Sequence, residues 1–273
     1  MNRVVRISAL AAAFAAAVGA GGGPPGTVIS SFLVPGVSNN GPRGLAFDGG
    51  QTYAVADDRN LNQVRIIKFS YDGNTASVLS SFNCPVGVRW ALDIAWRPGY
   101  IYVANDLTAA TDVAKVMVVN DATGSVLASF AGPYAAGVHV NGLTWDGTYL
   151  YASSYEDPRI FKLDANGAVL SSFTTSHART NGLAFDGDYL WAVATRGYYD
   201  GREYSIGGAL LASFTFNVND EYVGGACRGR PAYASLFVST YSGAKMVYEI
   251  STRESVAEGV TPASWGRIKT LFR

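Results

Sequence analysis

The polar residues best suited to chemistry stand at the starts of repeated apolar segments. Asn141 and Asn181 each precede a Gly-Leu pair, and Asp93 replaces the glycine in a related segment. Amide and carboxylate oxygens are ligands for hard cations, so these three residues form a candidate metal site. The same residue types also cap backbone groups at the beginning of a strand. Both interpretations stay open at the level of the sequence.

The two histidines of the chain are the next candidates. His139 and His177 each lie shortly before an Asn-Gly-Leu phrase, and an imidazole can bind a metal or act as a general base. No third ligand follows at a recognisable spacing, and the chain has no Gly-x-Ser-x-Gly, phosphate-binding loop or His-Glu-x-x-His motif. We therefore expect surface or hydrogen-bonding roles for both histidines and assign no catalytic residue.

These residues belong to a phrase that the chain repeats. Residues 181–187 read NGLAFDG, residues 141–147 read NGLTWDG, and residues 43–49 read RGLAFDG. Each phrase is followed by a Tyr-rich segment, an alternating segment and a segment ending in Ser-Phe, with Asp-Gly or Asn-Gly pairs between them. Such pairs supply the positive φ angles of tight hairpins, and alternation at period two predicts strands.

The spacing of the repeat predicts the architecture. The aromatic position of the first strand recurs at intervals of 40 to 49 residues, at Phe47, Trp96, Trp145, Phe185 and then Cys227. Four strands in each repeat of this length predict an all-β fold, a β-propeller of five four-stranded blades. Stacking of the blades should bury the Phe/Trp row against small residues of the next blade. A sixth blade would need a further repeat, which we do not find.

The last unit lacks its own Ser-Phe strand. The missing phrase stands instead at residues 27–32, TVISSF, so we expect the N-terminal strand to close the last blade. The connections before the first strand and after the second strand are long and share one face, where binding residues are expected. The candidate ligand-binding residues on that face are Arg43, Asp93, Asn141, Asn181, Tyr155, Tyr198 and Tyr241.

Composition narrows the choice of partners. Lys plus Arg and Asp plus Glu are equal at 21 each, which disfavours a nucleic-acid partner because such a partner needs a basic field. Residues 1–20 combine a basic start with an apolar run that is too short to span a bilayer, which predicts a cleaved signal peptide and a secreted or periplasmic protein. We expect a flexible leader at 21–26, the propeller at 27–256, and no transmembrane segment in the mature chain.

Two further features of the sequence, the C-terminal tail and the cysteines, are not explained by the repeats. The tail at 257–273 contains Trp265, Ile268 and Leu271 at helical spacing. Two interpretations stay open: a tail that packs on the propeller or frays, and a separate sorting, anchoring or docking segment. Cys84 and Cys227 are the two cysteines, and their positions in a connection and an inner strand predict that they are not joined by a disulfide.

The repeat phrases resemble those of a known group. GLTWDGTYLY at 142–151, with IFKLD at 160–164, is similar to the repeats of secreted bacterial β-propellers of the broad NHL/YVTN-like group. The resemblance implies the fold and leaves the ligand open: a protein, a glycan or a small molecule bound by a non-catalytic propeller. The alternative is a propeller enzyme. Asn-Gly-Leu is similar to phrases in glutaminyl cyclotransferases and in metal-dependent lactonases. The resemblance to the lactonases implies that Asn141 or Asn181 would hold a divalent cation.

Overall fold

The structure is a computed structural model of the whole chain. It describes residues 23–37, 41–48, 52–58, 63–84, 91–105, 109, 111–176, 179–194, 199–218, 223–228, 235–241 and 245–252, and for 52–58, 63 and 223–228 the backbone alone. The signal peptide predicted at 1–20, the tail at 257–273, His177 and Tyr198 lie outside the described residues.

Every regular element within these ranges is a strand. The first ten strands are β1 (Val28–Phe32), β2 (Pro42–Phe47), β3 (Thr52–Asp58), β4 (Gln63–Tyr71), β5 (Ala76–Asn83), β6 (Ala91–Arg97), β7 (Tyr100–Asn105), β8 (Lys115–Asn120), β9 (Val126–Ala131) and β10 (Gly142–Trp145). The others are β11 (Leu150–Ser153), β12 (Arg159–Leu163), β13 (Val169–Thr174), β14 (Thr180–Phe185), β15 (Leu190–Ala194), β16 (Asp200–Tyr204), β17 (Leu210–Thr215), β18 (Val223–Arg228), β19 (Ser235–Thr240) and β20 (Val247–Ser251). The described residues include no helix that could cross a membrane.

The strands form antiparallel sheets of four. Sheets 1 to 4 follow chain order, with β2–β5, β6–β9, β10–β13 and β14–β17, whereas sheet 5 has the order β1-β20-β19-β18. The first strand of each sheet contacts the first strand of the next, and β18 contacts β2. The prediction of an all-β propeller is confirmed.

The hydrophobic core is divided among the spaces between sheets. Each buried cluster combines residues of two neighbouring sheets, for example Ile66 with Ile94, and Leu183 with Ile160. Sheets 5 and 1 share a cluster in the same way, through Phe237 and Leu45. Since a single sheet leaves both faces apolar, it is stable only between two neighbours.

The row of large residues at the centre of these clusters differs from the predicted one. Tyr102, Tyr151, Trp191 and Phe237, which occupy the second strands, are at most 2% exposed. The Phe/Trp row of the first strands, which we expected to be buried, is only half-buried at its described positions. These residues stand at the outer end of each first strand, next to the hairpin, where water still reaches the rings.

The register of sheet 5 also corrects the sequence alignment. Cys227 pairs with Phe237, as Ala184 pairs with Trp191 in sheet 4. The residue at the aromatic position is therefore Arg228, which pairs with Leu236, and the assignment of Cys227 to that position was wrong by one residue. Cys84 is a free, buried cysteine, as predicted, and burial raises the pKa of its thiol to about 12.

Glycines of the hairpins between third and fourth strands pack against an aromatic ring of the preceding sheet. A Cβ on Gly124, Gly167 or Gly208 would lie within 2.5 Å of Phe82, Phe130 or Phe173, respectively. Each of these phenylalanines ends the Ser-Phe strand of the sheet before. The repeat therefore needs glycine there for space as well as for its positive φ.

Gly26 takes the corresponding position in sheet 5, although it precedes β1 instead of joining two strands. Its φ is 88°, and a Cβ there would meet the Thr215 carbonyl and the Phe214 ring of sheet 4. Its N–H donates to the Ser251 carbonyl at 2.8 Å, and the Ser251 hydroxyl donates to the Gly23 carbonyl. Contacts with sheet 5 therefore begin before Thr27, within the segment that we expected to be a leader.

Candidate functional site

Asp93 lies at the centre of the ring of first strands and is fully buried. Its Oδ1 accepts hydrogen bonds from the N–H groups of Leu45 at 3.2 Å and Ile94 at 2.9 Å, and its Oδ2 accepts one from Leu143 at 2.8 Å. The N–H of Leu183 is a fourth donor. One carboxylate thus joins β2, β6, β10 and β14, and its four acceptor positions are occupied.

The electrostatics of this site disfavour a metal. Burial raises the pKa of the Asp93 carboxyl well above its usual range, and the four backbone N–H groups oppose that shift. A cation at the same place would face the positive ends of four N–H dipoles. Among the residues that the structure describes, no three of His, Cys, Asp and Glu could hold a metal together. We therefore leave Asp93 out of the proposed ligand site and assign it to the support of the ring.

The glycines around Asp93 allow the first strands to approach one another. A Cβ on Gly44 would lie 2.6 Å from the Cα of Asp93, and one on Gly142 would lie 3.1 Å from the Leu183 nitrogen. Gly-Leu in the repeat phrase is therefore a packing requirement at the axis. The leucine N–H supplies the hydrogen bond, and the glycine supplies the space.

Arg43, Asn141 and Asn181 surround the axis on the other side of these leucines. Each stands two residues before a leucine whose N–H faces Asp93, at the beginning of its first strand. Two residues of strand cover about 6–7 Å, so the three side chains start one step nearer to the long connections than the carboxylate. We call this side, defined by Arg43, Asn141, Tyr155, Asn181 and Tyr241, the loop face.

The junction of sheets 3 and 4 brings three loop-face residues together. The N–H of Tyr155 donates to Asn141 Oδ1 at 2.8 Å. The guanidinium of Arg179, from the connection to sheet 4, lies over the Tyr155 ring at 5.6 Å. Arg179 has a φ of 83°, a left-handed conformation that is uncommon outside glycine. The hydroxyl of Ser153 donates to the Thr180 carbonyl at 3.3 Å, which joins the same two sheets beneath the ring.

The junction of sheets 5 and 1 has the same plan. The guanidinium of Arg43 lies 4.3 Å from the centre of the Tyr241 ring, and the hydroxyl of Ser239 donates to the Arg43 carbonyl at 2.6 Å. Tyr241 stands two residues after Ser239, as Tyr155 stands two after Ser153. Arg43 is 3% exposed, whereas Arg179 is exposed. The two junctions thus share an arginine–tyrosine stack and differ in how open it is.

His139 belongs to the first of these junctions. Its Nε2 lies 3.8 Å from Glu156 Oε1, and Glu156 Oε2 accepts a hydrogen bond from the buried Ser154 hydroxyl at 2.8 Å. The serine is therefore bonded to the carboxylate, so these three residues do not form a nucleophile–base pair. His139 lies at ion-pair distance from this carboxylate, and its surface or hydrogen-bonding role stays a prediction.

The structure therefore groups the predicted residues in pairs. It brings Asn141 to Tyr155 and Arg43 to Tyr241, and it places Asp93 below them. Sequence reasoning placed Arg179 in a connection of this face but did not select it as a site residue, and it missed Ser153 and Ser239. A signal for the serines was present, because Ser-x-Tyr follows the second strand in both sheets. No sequence pattern pointed to the stack of Arg179 on Tyr155, because the two residues come together only when sheets 3 and 4 lie side by side in the folded ring.

Comparison with known proteins agrees at the level of the fold. No family model matches the sequence, and no curated protein does. The crystal structure of Myxococcus xanthus glutaminyl cyclase is 13% identical, covers 84% of this chain and 97% of that chain, and has a TM-score of 0.63. The WD40 β-propeller domain of Doa1 is 11% identical, covers 83% and 97%, and has a TM-score of 0.46. At such identities the likeness shows the fold alone: this chain is a β-propeller.

Proposed function

We propose that this chain is an exported, non-catalytic β-propeller of five blades that binds a ligand on its loop face. The observation that carries the proposal is the pair of arginine–tyrosine stacks, Arg43–Tyr241 and Arg179–Tyr155, each formed between neighbouring sheets. Aromatic rings offer contact area at a low entropic cost, and stacking on a ring limits the rotamers of a guanidinium. Among the described residues at the hairpin ends, Arg97 also lies over the Trp145 ring of the next sheet, at 5.2 Å. The loop-face stacks differ from it in lying beside the long connections, where binding residues are usually found.

The chemistry of the loop face favours a ligand that carries a carboxylate. A guanidinium presents a planar fork of N–H donors that matches the two oxygens of a carboxylate. Asn141 and Asn181 add amide groups near the axis. Of the acidic groups near them, Asp93 is buried and bonded to backbone, and Glu156 accepts a hydrogen bond from Ser154 and lies 3.8 Å from His139. An acidic sugar and an acidic peptide share this chemistry, and the experiment below separates them.

The architecture that supports the site is a closed ring. We infer that β1 is the closing strand of the last blade, because β1 pairs with β20 and Gly26 stands where the other blades have a turn glycine. Deletion of 27–32 should then lower the melting temperature far more than deletion of 262–273. Export follows from the N-terminal sequence, and we place the chain with secreted bacterial propellers of the NHL/YVTN-like group on its repeat phrase.

The binding experiment compares the two ends of β11. Three proteins are tested on arrays of acidic and neutral oligosaccharides and peptides. They are the wild type, the test variant Tyr155→Ala with Arg179→Ala, and the control variant Tyr149→Ala with Lys162→Ala. Lys162 lies 3.7 Å from the centre of the Tyr149 ring, so the control also removes a cation–tyrosine pair, but at the hairpin end of the strand. We expect the first pair alone to weaken binding, by about tenfold or more. Equal loss in both variants, or a preference for neutral ligands, contradicts the proposal.

The enzyme alternative is decided with the same protein. Glutaminyl cyclase activity would release ammonia from a peptide with N-terminal glutamine, which mass spectrometry detects, and a lactonase-like site would retain a divalent metal, which elemental analysis detects. Turnover or a stoichiometric metal that disappears with Asn141→Ala and Asn181→Ala would replace the binding proposal. We expect neither, because the buried carboxylate of Asp93 at the axis is occupied by backbone donors.

A further inference from the structure

Sheet 4 carries a buried ion pair at a register position that is uncharged in the other sheets. Arg202 of β16 pairs in register with Ala192 and is 9% exposed. The residues at the same register position in the other third strands are Ile67, Met117, Phe161 and Tyr248. Side chains alternate along a strand, so Arg202 faces sheet 3 together with Asp200 and Tyr204. The junction of sheets 3 and 4 therefore contains a charged pair that the repeat does not require.

The geometry of this pair is not the one that stability would select. The Nε and Nη2 groups of Arg202 both donate to Oδ2 of Asp200, the first at 2.9 Å. Oδ1 of Asp200 is buried and accepts no hydrogen bond within the part of the chain that the structure describes. Asp157 and Arg159 form a similar Asp-x-Arg pair in sheet 3, but there both carboxylate oxygens are bonded and the arginine side chain is 49% exposed. Because a buried ion pair is often no more stable than apolar residues in its place, the pair in sheet 4 needs another explanation.

The pair holds one nitrogen of the guanidinium towards an exposed residue of the loop face. Nη1 of Arg202 donates to the hydroxyl of Ser176. Ser176 is exposed and belongs to the connection between sheets 3 and 4, which also carries Arg179. Asp200 thus fixes the guanidinium on one side, and Ser176 contacts it on the other. Rotation of the Ser176 side chain about χ1 uncovers Nη1 without any change of the backbone.

Backbone strain marks the same junction. Among the described residues, three that are not glycine have a positive φ, and two of these flank the junction. Arg179, with a φ of 83°, directly precedes β14, and Tyr199, with a φ of 39°, directly precedes β16. Strained conformations of this kind cost free energy and concentrate at binding sites. Only β15 separates β14 from β16, so the two strained positions start at the same end of the sheet with backbones about 10 Å apart.

We propose that Ser176 and Arg202 form a second subsite of the loop face, beside the Arg179–Tyr155 stack, and that the ligand is an acidic oligosaccharide lying across both. This inference rests on the proposed function and names its ligand class. The charge of Arg202 is already compensated by Asp200, so its Nη1 suits a neutral oxygen better than a second carboxylate. Every residue of a uronic acid chain carries both a carboxylate and hydroxyls. In an acidic peptide the neutral oxygens belong to the backbone, and acidic peptide is therefore the competing outcome of the test.

The test compares two Asp-x-Arg pairs on probes of similar charge. The probes are tetramers of galacturonic, mannuronic or guluronic acid, and tetraglutamate with blocked ends. The pair variant is Asp200→Leu with Arg202→Met. The matched control is Asp157→Leu with Arg159→Met, which removes the exposed pair on the side of sheet 3 that faces sheet 2.

Dissociation constants are measured for each protein with each probe. We expect wild type and matched control to bind at least one uronic acid tetramer about tenfold or more tighter than tetraglutamate. The pair variant should lose about tenfold in affinity for that tetramer, while its affinity for tetraglutamate changes by less than about twofold. Arg202→Lys keeps the charge opposite Asp200 but lacks the planar fork that contains Nη1, so it should lose the same preference. Melting temperatures are recorded for all variants, and the pair variant should melt no lower than the matched control.

The outcomes separate this inference from the proposed function. Wild type that binds none of the probes refutes both. Equal or tighter binding of tetraglutamate by wild type, or an unchanged preference in Arg202→Lys, refutes the second subsite and leaves carboxylate binding on the loop face intact. A pair variant that melts far below the matched control also refutes it, because the pair would then be kept for stability. Loss of both kinds of probe in Tyr155→Ala with Arg179→Ala, together with loss of the uronic acid preference alone in the pair variant, supports two subsites.

Discussion

Polar residues on the two faces of the propeller have different partners. On the hairpin face, defined by the turns at 72–73, 146–147, 166–167 and 186–187, the Oδ1 atoms of the turn aspartates accept N–H groups of their own turn. Arg97, which stacks on Trp145 of the next sheet, is an exception on this face. Asp146 Oδ1 accepts the N–H groups of Thr148 and Tyr149, and Asp164 Oδ1 those of Asn166 and Ala168. At the axis and on the loop face they cross between sheets, as Asp93 and Arg179 do. A polar group that crosses a junction supports the ring, whereas one inside a turn supports only that turn.

The largest effect is expected when an aspartate is replaced by asparagine, once at the axis (Asp93) and once in a hairpin turn (Asp164). Asp93→Asn puts an amide NH₂ against backbone N–H donors in a buried site. We expect a loss of about 3 kcal/mol or more in the free energy of unfolding, because buried unsatisfied groups cost about 1–3 kcal/mol each. Asp164→Asn should change it by less than about 0.5 kcal/mol. Asn120 already has the same role in sheet 2, where its Oδ1 accepts the N–H groups of Ala122 and Thr123.

Denaturant titration measures both variants. Similar losses would mean that the acceptor role of Asp93 is unimportant. Asp93→Gly adds a second readout, since it restores the residue of the other repeats and leaves the four N–H groups without the carboxylate. Formate, a small carboxylate, should then raise the melting temperature of Asp93→Gly and leave that of wild type unchanged.

The second test concerns two hairpin-face glycines in sheet 3. Gly147 and Gly167 have φ values of 98° and 91°, so alanine is strained at both. A Cβ on Gly147 meets nothing within 4 Å, whereas one on Gly167 would lie 2.2 Å from the Phe130 ring of sheet 2. We expect Gly147→Ala to cost about 1–2 kcal/mol from backbone strain and Gly167→Ala about 1–3 kcal/mol more from overpacking. Equal unfolding midpoints for the two variants would refute the contact across the junction.

The smallest effect is a pH dependence of opposite sign at two aspartates. Burial raises the pKa of Asp93, so its contribution to stability is complete below the unfolded pKa of about 3.9 and declines as pH rises towards the folded value. Hydrogen bonds from Arg159 lower the pKa of Asp157, so its contribution is present above about 3.9 and declines as pH falls. Asp157→Asn should lower the free energy of unfolding at neutral pH only slightly, because the Asp157–Arg159 ion pair is partly exposed.

Unfolding of wild type, Asp93→Asn and Asp157→Asn is compared between acidic and neutral pH. The difference between wild type and Asp157→Asn should shrink on acidification, while that between wild type and Asp93→Asn should grow. A difference that moves in the same direction for both aspartates would contradict the assignment of burial as the main influence on Asp93.

The sequence predicted the strands well because each lies in a phrase whose turns and alternation are local properties. It misplaced Cys227 by one residue because sheet 5 lacks both the Asp-Gly turn and the aromatic residue that align the other units. The role of Asp93 could not be predicted, since the N–H donors come from Leu45, Leu143 and Leu183, which meet only at the axis. Gly26 was recognisable: Gly-x-Val or Gly-x-Leu precedes four of the Ser-Phe strands.

The pairing of β1 with β20 has a consequence for the order of folding. The Ser30 hydroxyl donates to Glu249 at 2.9 Å, and these residues are 219 positions apart in the chain. Contacts of such separation form late and slowly, because a long loop must close before they contribute. A chain interrupted before Val247 could form four sheets, yet β1 would have no strand to pair with. Nascent or truncated molecules would therefore present β1 unpaired, which makes them the species most prone to misassembly.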